Sequence, residues 1–187
     1  ITRRIITLTI AALATAALTA GALIASTAQA AVQSGVKAPN FSAMDSNGKQ
    51  RSLAEFAGKT IVLEWTNDGC PFVRKHYGSG NMQELQKEAT ADGVVWLSVI
   101  SSAPGKQGYV DGKGANALTS SRGAAPTAVL LDPTGAVGHL YGAKTTPHMF
   151  VIDKTGTLAY QGGIDDRATP VVADIAGAKN YVRLALA

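Results

Sequence analysis

The chain of 187 residues contains one cysteine, Cys70, and its sequence surroundings favour a nucleophilic thiol. The largely apolar run at residues 60–66 predicts a strand buried on both faces. Pro71 follows Cys70, and because proline is favoured at the first position of a helix, Cys70 should lie at a helix N-terminus. Free N–H groups there, and the cation of Arg74 one turn later, stabilise a thiolate, so the sequence predicts a lowered thiol pKa.

A lone cysteine is more often a small buried apolar side chain than a reactive one. The loop before Cys70 would lie at the carboxyl end of a sheet strand, where open α/β sheets place their sites, and this favours a reactive thiol. A single cysteine also excludes an intramolecular disulfide. Any redox cycle through Cys70 would therefore need an external thiol or a cysteine of a partner protein.

The first 30 residues have the pattern of an export signal. Arg3 and Arg4 precede an apolar stretch at residues 5–25, and Ala28 and Ala30 form a small-residue cleavage site. We expect cleavage after Ala30, a domain over residues 31–187, a periplasmic or secreted location and no stable membrane insertion afterwards. The apolar stretch is also long enough for an uncleaved anchor, but its richness in Ala, Thr and Gly favours cleavage.

Composition limits the function of the remaining chain. The net charge of +4 falls to +2 without the two leader arginines, and no basic run or basic–aromatic patch is present. Nucleic-acid binding therefore has no support. The length suits one domain of ordinary size with a proper core.

The order of the predicted elements indicates an α/β protein. Asn47 and Gly48 predict a β-hairpin near the start, and Ser52 and Glu55 predict a capping box for a short helix. A second buried strand at residues 94–100 follows the helices after Cys70, which implies a right-handed parallel crossover. A final helix is predicted over residues 175–186.

These elements and three motifs resemble the thioredoxin superfamily, in particular the redoxin branch of alkyl hydroperoxide reductase/thiol-specific antioxidant-type and exported thioredoxin-like proteins. The resemblance covers about residues 36–161. It rests on residues 38–59, which resemble the entry region, on residues 65–73 around the cysteine, and on Thr146-Pro147 before a strand. It implies a thioredoxin-like fold with a central mixed sheet flanked by helices and an N-terminal β-hairpin. It also implies a cis Pro147 packed beside Cys70, with Thr146 facing the thiol.

The departures from the family pattern restrict the chemistry. Val73 stands where a thioredoxin has its second cysteine, so internal dithiol exchange is impossible. Asn67 and Leu63 stand where a peroxiredoxin has Thr and Pro, and Pro147 stands near where it has an arginine. The leading hypothesis is a thiol oxidoreductase with Cys70, Thr146, Pro147 and Arg74 as its site. The alternatives are a one-cysteine thiol peroxidase and a redox-inactive binding module.

The histidines give a weak signal for a metal. His76 lies six residues after Cys70, so on a helix it should point away from the thiol, facing solvent or standing behind the site. His148 follows the expected cis-proline and could approach Cys70. Because no ligand spacing accompanies these residues, we predict no metal and no cofactor. The loop at residues 162–167 could lie near the site or be a solvated surface, while Trp65 and Trp96 are expected in the core.

Overall fold

The computed structural model describes residues 32–187, so the predicted export signal and its cleavage site lie outside the described residues. The strands are β1 (Ser42–Asp45), β2 (Gln50–Ser52), β3 (Ile61–Trp65), β4 (Val95–Ile100), β5 (Ala128–Leu131), β6 (His148–Ile152) and β7 (Leu158–Gly162). The α-helices are α1 (Pro71–Gly78), α2 (Asn81–Ala91), α3 (Gly112–Ser121), α4 (Ala136–Tyr141) and α5 (Tyr181–Leu186). Two 3-10 helices span Leu53–Phe56 and Val172–Gly177.

One mixed sheet joins the seven strands in the order β2-β1-β5-β4-β3-β6-β7. Strands β3, β4 and β5 run parallel, as expected for strands connected through helices, whereas β6 lies antiparallel to β3. The hairpin β1–β2 forms one edge and confirms the turn predicted at Asn47 and Gly48. Strand β3 thus lies inside the sheet, paired with β4 and β6, and the chain leaves it directly into the loop that carries Cys70.

Alternate residues of β3 supply two separate cores. Leu63 and Trp65 point to one face, where they join Tyr141 of α4 and Phe150 of β6. Val62 belongs to the other face, where it is covered by α1, α2 and α5. All five residues of β3 are buried, which confirms the prediction of a strand buried on both faces. Trp65 and Trp96 both lie in the core, as predicted.

Two predictions about helix ends were wrong. Ser52 precedes a 3-10 helix but makes no side-chain capping bond, and the Glu55 carboxylate pairs with Lys49 and Arg51. The predicted C-terminal helix is interrupted: a 3-10 helix ends at Gly177 and α5 begins only at Tyr181. Between them the chain forms a bridge from Asn180 to Asp165, and the Asn180 side chain caps α5.

Candidate functional site around Cys70

Cys70 is the N-cap residue of α1, and Pro71 occupies the first turn, as the sequence predicts. The preceding turn is built by Asn67, whose Oδ1 accepts from the Gly69 N–H at 2.8 Å and whose carbonyl accepts from the Cys70 N–H at 3.0 Å. Cys70 is half-buried and packs against the core beneath α1. The thiol is therefore fixed at the open end of a helix rather than enclosed in the core.

The loop before β6 meets this thiol. The Thr146–Pro147 peptide is cis, which confirms the prediction, and the Cys70 Sγ donates to the Thr146 carbonyl oxygen at 3.0 Å. Thr146 thus contacts the cysteine through its main-chain carbonyl. A carbonyl oxygen only accepts, so this bond exists with the thiol and is lost in the thiolate. Thr146, Pro147 and Cys70 are brought together as the resemblance implies.

Arg74 lies one turn after Cys70 and reaches back to the same loop. Its Nε donates to the Asp68 carbonyl oxygen at 2.9 Å, and its side chain is exposed. No ion pair to Arg74 occurs within residues 32–187. The predicted cation is therefore close to the turn that holds Cys70, but its direct bond is to the backbone two residues before the thiol.

A second loop, which sequence reasoning did not single out, covers the turn before Cys70. The Asn67 Nδ2 donates to the Gln107 carbonyl oxygen at 3.3 Å. The Gln107 side chain lies so close to Gly69 that a Cβ there would come within 2.2 Å of its Nε2. Gly108 has a φ of +81° and faces Asn67 just as closely. A side chain at Gly69 would therefore displace the Gln107 side chain, a contact between segments that sequence spacing does not indicate.

The second half of α1 is held by buried polar contacts. Lys75 has a side chain with 0% exposure, and its Nζ lies 3.4 Å from an Asp165 carboxylate oxygen and 2.9 Å from the Arg167 carbonyl oxygen. The loop at residues 162–167 is therefore packed on α1 and is not simply a solvated surface. Lys75 and Asp165 neutralise each other away from water, which such burial requires.

His76 is also buried, which rules out the solvent-facing position and leaves the other expected one, behind the site and away from the thiol. Its Nδ1 lies 2.8 Å from the Asn81 Nδ2, and its Nε2 lies 3.8 Å from an Asp165 oxygen. Burial lowers the pKa of His76 to about 4, and the nearby Lys75 cation acts in the same direction while Asp165 opposes it. The imidazole is accordingly neutral near pH 7 and belongs to the support of α1.

Glu64 of β3 is a second fully buried ionisable group near the site, with 0% exposure. Its carboxylate accepts from the Tyr77 hydroxyl at 2.7 Å and the Trp96 Nε1 at 2.8 Å, and Gln86 and Ser98 donate at 3.0 Å. Burial raises the pKa of Glu64, although its four donors oppose the shift. A carboxylate in an otherwise apolar strand was visible in the sequence, but its donors come from three other elements.

His148 begins β6 and does not bond to Cys70. Its ring packs on Phe150 with 4.5 Å between centroids, and its Nδ1 accepts from the Lys144 N–H at 3.3 Å. Burial lowers the pKa of His148, and the Lys144 cation adds to this. Within residues 32–187, no group of three or more His, Cys, Asp or Glu side chains is arranged to hold a metal ion. In the same range, no helix is long and apolar enough to cross a membrane.

The central mixed sheet, the cysteine at the N-terminus of α1 and the adjoining cis-proline loop define a thioredoxin-fold protein of the redoxin type. Residues 34–161 match the model of the AhpC/TSA family, and the chain belongs to this family. No curated protein sequence matches the chain.

Solved structures with similar folds include bacterial thioredoxin-like proteins. A conserved protein from Geobacillus kaustophilus is 22% identical with a TM-score of 0.65, and the match covers 77% of this chain and 78% of that one. The exposed lipoprotein thioredoxin of Streptococcus pneumoniae is 27% identical with a TM-score of 0.52, covering 66% and 88%. A secreted disulfide oxidoreductase of Mycobacterium tuberculosis is 20% identical with a TM-score of 0.54, covering 73% and 92%. These likenesses support the thioredoxin fold.

Proposed function

We propose that the protein is an exported thiol oxidoreductase in which Cys70 acts alone as the nucleophile. The observation that carries the proposal is the position of the thiol at the N-cap of α1, with its Sγ 3.0 Å from the carbonyl that precedes a cis-proline. A structural cysteine would need neither the open helix end nor the adjoining loop. The incomplete burial of Cys70 supports access to the thiol by a disulfide of another molecule.

The reaction supported by these residues is thiol–disulfide exchange with a second molecule. The Cys70 thiolate attacks one sulfur of an external disulfide, so a new S–S bond forms to Cys70 and the other sulfur leaves as a thiolate. A second external thiol, or a cysteine of a redox partner protein, then attacks the mixed disulfide and restores Cys70. Cys70 needs such a partner because it is the only cysteine of the chain.

Roles for the neighbouring residues follow from their contacts. Pro147 and the Thr146 carbonyl form the wall against which the thiol rests, and Arg74 places a cation beside the turn before Cys70. The export part of the proposal is supported by the leader pattern of residues 1–30, and two similar structures are of an exposed lipoprotein and a secreted oxidoreductase. Intact mass of the protein from the cell envelope tests it, with Ala31 expected as the first residue.

The decisive experiment exposes the reduced protein to hydroxyethyl disulfide and, separately, to hydrogen peroxide, and follows both reactions by intact mass. We expect one mixed-disulfide adduct that is reversed by added thiol and is absent from the Cys70→Ser variant. Faster formation of a sulfenic acid by peroxide than of the mixed disulfide would support the thiol peroxidase instead. If the folded protein has a thiol that reacts with neither reagent, both enzyme hypotheses are excluded and the redox-inactive binding module remains.

A further inference from the structure

A cavity of about 340 Å³ opens beside α1, next to the turn that carries Cys70. Its wall includes Arg74 and Tyr77 of α1, Asp68 of the turn, and Ser121 and Arg122 at the end of α3. Arg74 and Asp68 are joined by the hydrogen bond from the arginine Nε to the aspartate carbonyl. Since these residues stand four positions after and two before Cys70, the cavity begins beside the thiol's own loop.

The charges on this wall are of both signs. The Arg122 guanidinium pairs with the Asp68 carboxylate and lies 4.7 Å over the Tyr77 ring, so it is held in place from two sides. One Asp68 oxygen accepts this bond, while the side chain stays 46% exposed. The Nε of Arg74 donates to a main-chain oxygen. The two terminal guanidinium nitrogens of Arg74 form no hydrogen bond within residues 32–187. An unneutralised guanidinium and a half-exposed carboxylate thus face one small cavity.

This pattern fits a zwitterion. The fork of Arg74 can bind a carboxylate through two parallel hydrogen bonds, and the accessible Asp68 oxygen can accept from an ammonium group. A carboxylate and an ammonium on one carbon form an α-amino-acid group. The cavity volume lies at the lower end of the roughly 300–1,000 Å³ range of small-molecule sites, so it suits such a group but not a folded partner.

We propose that this cavity binds the α-amino-acid group of a low-molecular-weight thiol or of its disulfide, and so selects the molecule that exchanges with Cys70. The proposal rests on the function proposed above, because it names the class of the external thiol. With the amino-acid group held at Arg74 and Asp68, the disulfide of the ligand extends toward the N-terminus of α1. Exchange then forms the bond from Cys70 Sγ to one ligand sulfur, breaks the ligand S–S bond, and releases one ligand thiolate that takes up a proton from water.

Binding can be measured without any exchange. The Cys70→Ser variant cannot form a mixed disulfide, so titration with S-methylglutathione, followed by NMR or calorimetry, tests the cavity alone. We expect saturable binding, and about a tenfold loss of affinity when Arg74→Gln is added, the loss that follows from one or two charge-assisted hydrogen bonds. Lys113→Gln, which removes an exposed cation of α3 outside the cavity, is the matched control and should leave the affinity unchanged.

A second variant separates the two ends of the zwitterion. Asp68→Asn should weaken S-methylglutathione severalfold but should not weaken S-methyl-3-mercaptopropionate, which has a carboxylate and no ammonium, because the variant removes only an anion and leaves Arg122 without its partner. Absence of binding in the Cys70→Ser chain, or equal losses in Arg74→Gln and Lys113→Gln, would overturn the cavity proposal. Thermal unfolding of each variant confirms that it is folded before titration.

Exchange rates then distinguish failure of the cavity from failure of the proposed function. With wild-type protein, glutathione disulfide should react about tenfold faster than hydroxyethyl disulfide after correction for their intrinsic reactivity, and Arg74→Gln should remove this preference. Equal rates for both disulfides would overturn the cavity proposal and leave the function intact. A thiol that reacts with neither disulfide would overturn the function, whatever S-methylglutathione does in the Cys70→Ser chain.

Discussion

The two ends of α1 differ in how their polar groups are held. At the start, Cys70 is half-buried and Arg74 is exposed, and each makes one bond to a main-chain oxygen. At the end, Lys75, His76 and Tyr77 are buried, and each is bonded to a side chain from another element. The helix is thus fixed from its second half, and its first turn is left open with the thiol.

This difference implies that the contacts that hold α1 and the reactivity of Cys70 can be changed separately. Contacts of the buried end are satisfied away from water, where losing one partner leaves an unpaired polar group. Contacts at the open end compete with water, so their loss has a small effect on stability. Variants at the two ends should therefore separate the free energy of unfolding from the reactivity of Cys70.

The largest effect is expected from breaking the buried ion pair. Lys75→Met leaves the Asp165 carboxylate buried without its cation, which should lower the free energy of unfolding by about 3 kcal/mol or more. Urea unfolding at pH 7 measures this. Adding Asp165→Asn to Lys75→Met removes the uncompensated charge and should recover more than half of the loss. If the double variant is no more stable than the single one, the pair does not hold α1.

The buried imidazole should make the protein sensitive to acid. The pKa of His76 is about 4 in the fold and near its ordinary value of 6.5 in the unfolded chain, so between these values the unfolded state binds more protons. The free energy of unfolding should therefore fall as the pH drops through 6.5. Below about pH 4 the titration of His76 should cause no further loss. At pH 5 the loss is on the order of 2 kcal/mol.

Urea unfolding from pH 7 to pH 4 provides the measurement for His76. His76→Gln keeps a polar side chain that can bond to Asn81 and removes the titration, so its stability should change less over this range. An equally steep acid loss in the variant would assign the effect to other groups.

Glu64 should act in the opposite direction with pH. Burial raises its pKa in the fold, so above the ordinary carboxyl pKa the folded state holds more protons than the unfolded one. Its contribution is present in full at low pH and is lost as the pH rises through the folded value. Glu64→Gln should flatten this decline, and it should cost about 1–2 kcal/mol because the amide nitrogen cannot accept the bonds the carboxylate accepts.

The pH dependence of urea unfolding in Glu64→Gln, with His76→Gln as the comparison, checks this sign. A decline with pH that is as steep in Glu64→Gln as in wild type would contradict the assignment to Glu64.

The parts of the structure that sequence predicts are those set by neighbouring residues. Strand β3 follows from an apolar run, and the position of Cys70 at the start of α1 follows from Pro71. The cis peptide at Pro147 follows from the family resemblance. Each of these three features depends on a short stretch of sequence, and its pattern can be interpreted without knowing which residues pack against it.

The remainder depends on contacts between distant segments. Lys75 and Asp165 are 90 residues apart, and a lysine within a short helix would ordinarily face solvent. For the same reason, the sequence left open whether His76 faces solvent or lies behind the site. The predicted C-terminal helix failed because Asn180 bridges to Asp165 and starts a new helix at Tyr181. Periodicity indicates which residues are apolar, but not which buried charges find a partner.

The smallest effect on stability, and the most informative one on reactivity, is expected at the open end. Arg74→Ala removes an exposed side chain with one main-chain bond, so the free energy of unfolding should change by less than about 0.5 kcal/mol. The helix N-terminus and the Arg74 cation favour the thiolate of Cys70, whereas the bond to the Thr146 carbonyl holds the thiol. Removing the cation should move the alkylation profile of Cys70 toward slower reaction, by about threefold at pH 7.

Lys113→Ala is the control for this change, because it removes an exposed cation away from α1 without touching the turn. An alkylation profile that moves equally in both variants would show that only net charge matters. A profile that moves in neither would mean that the helix end and the Thr146 carbonyl alone set the reactivity of Cys70. If Lys75→Met/Asp165→Asn also leaves the profile unchanged while altering stability, the two ends of α1 are independent. Reactivity would then belong to the turn from Asn67 to Cys70 and the loop at Pro147.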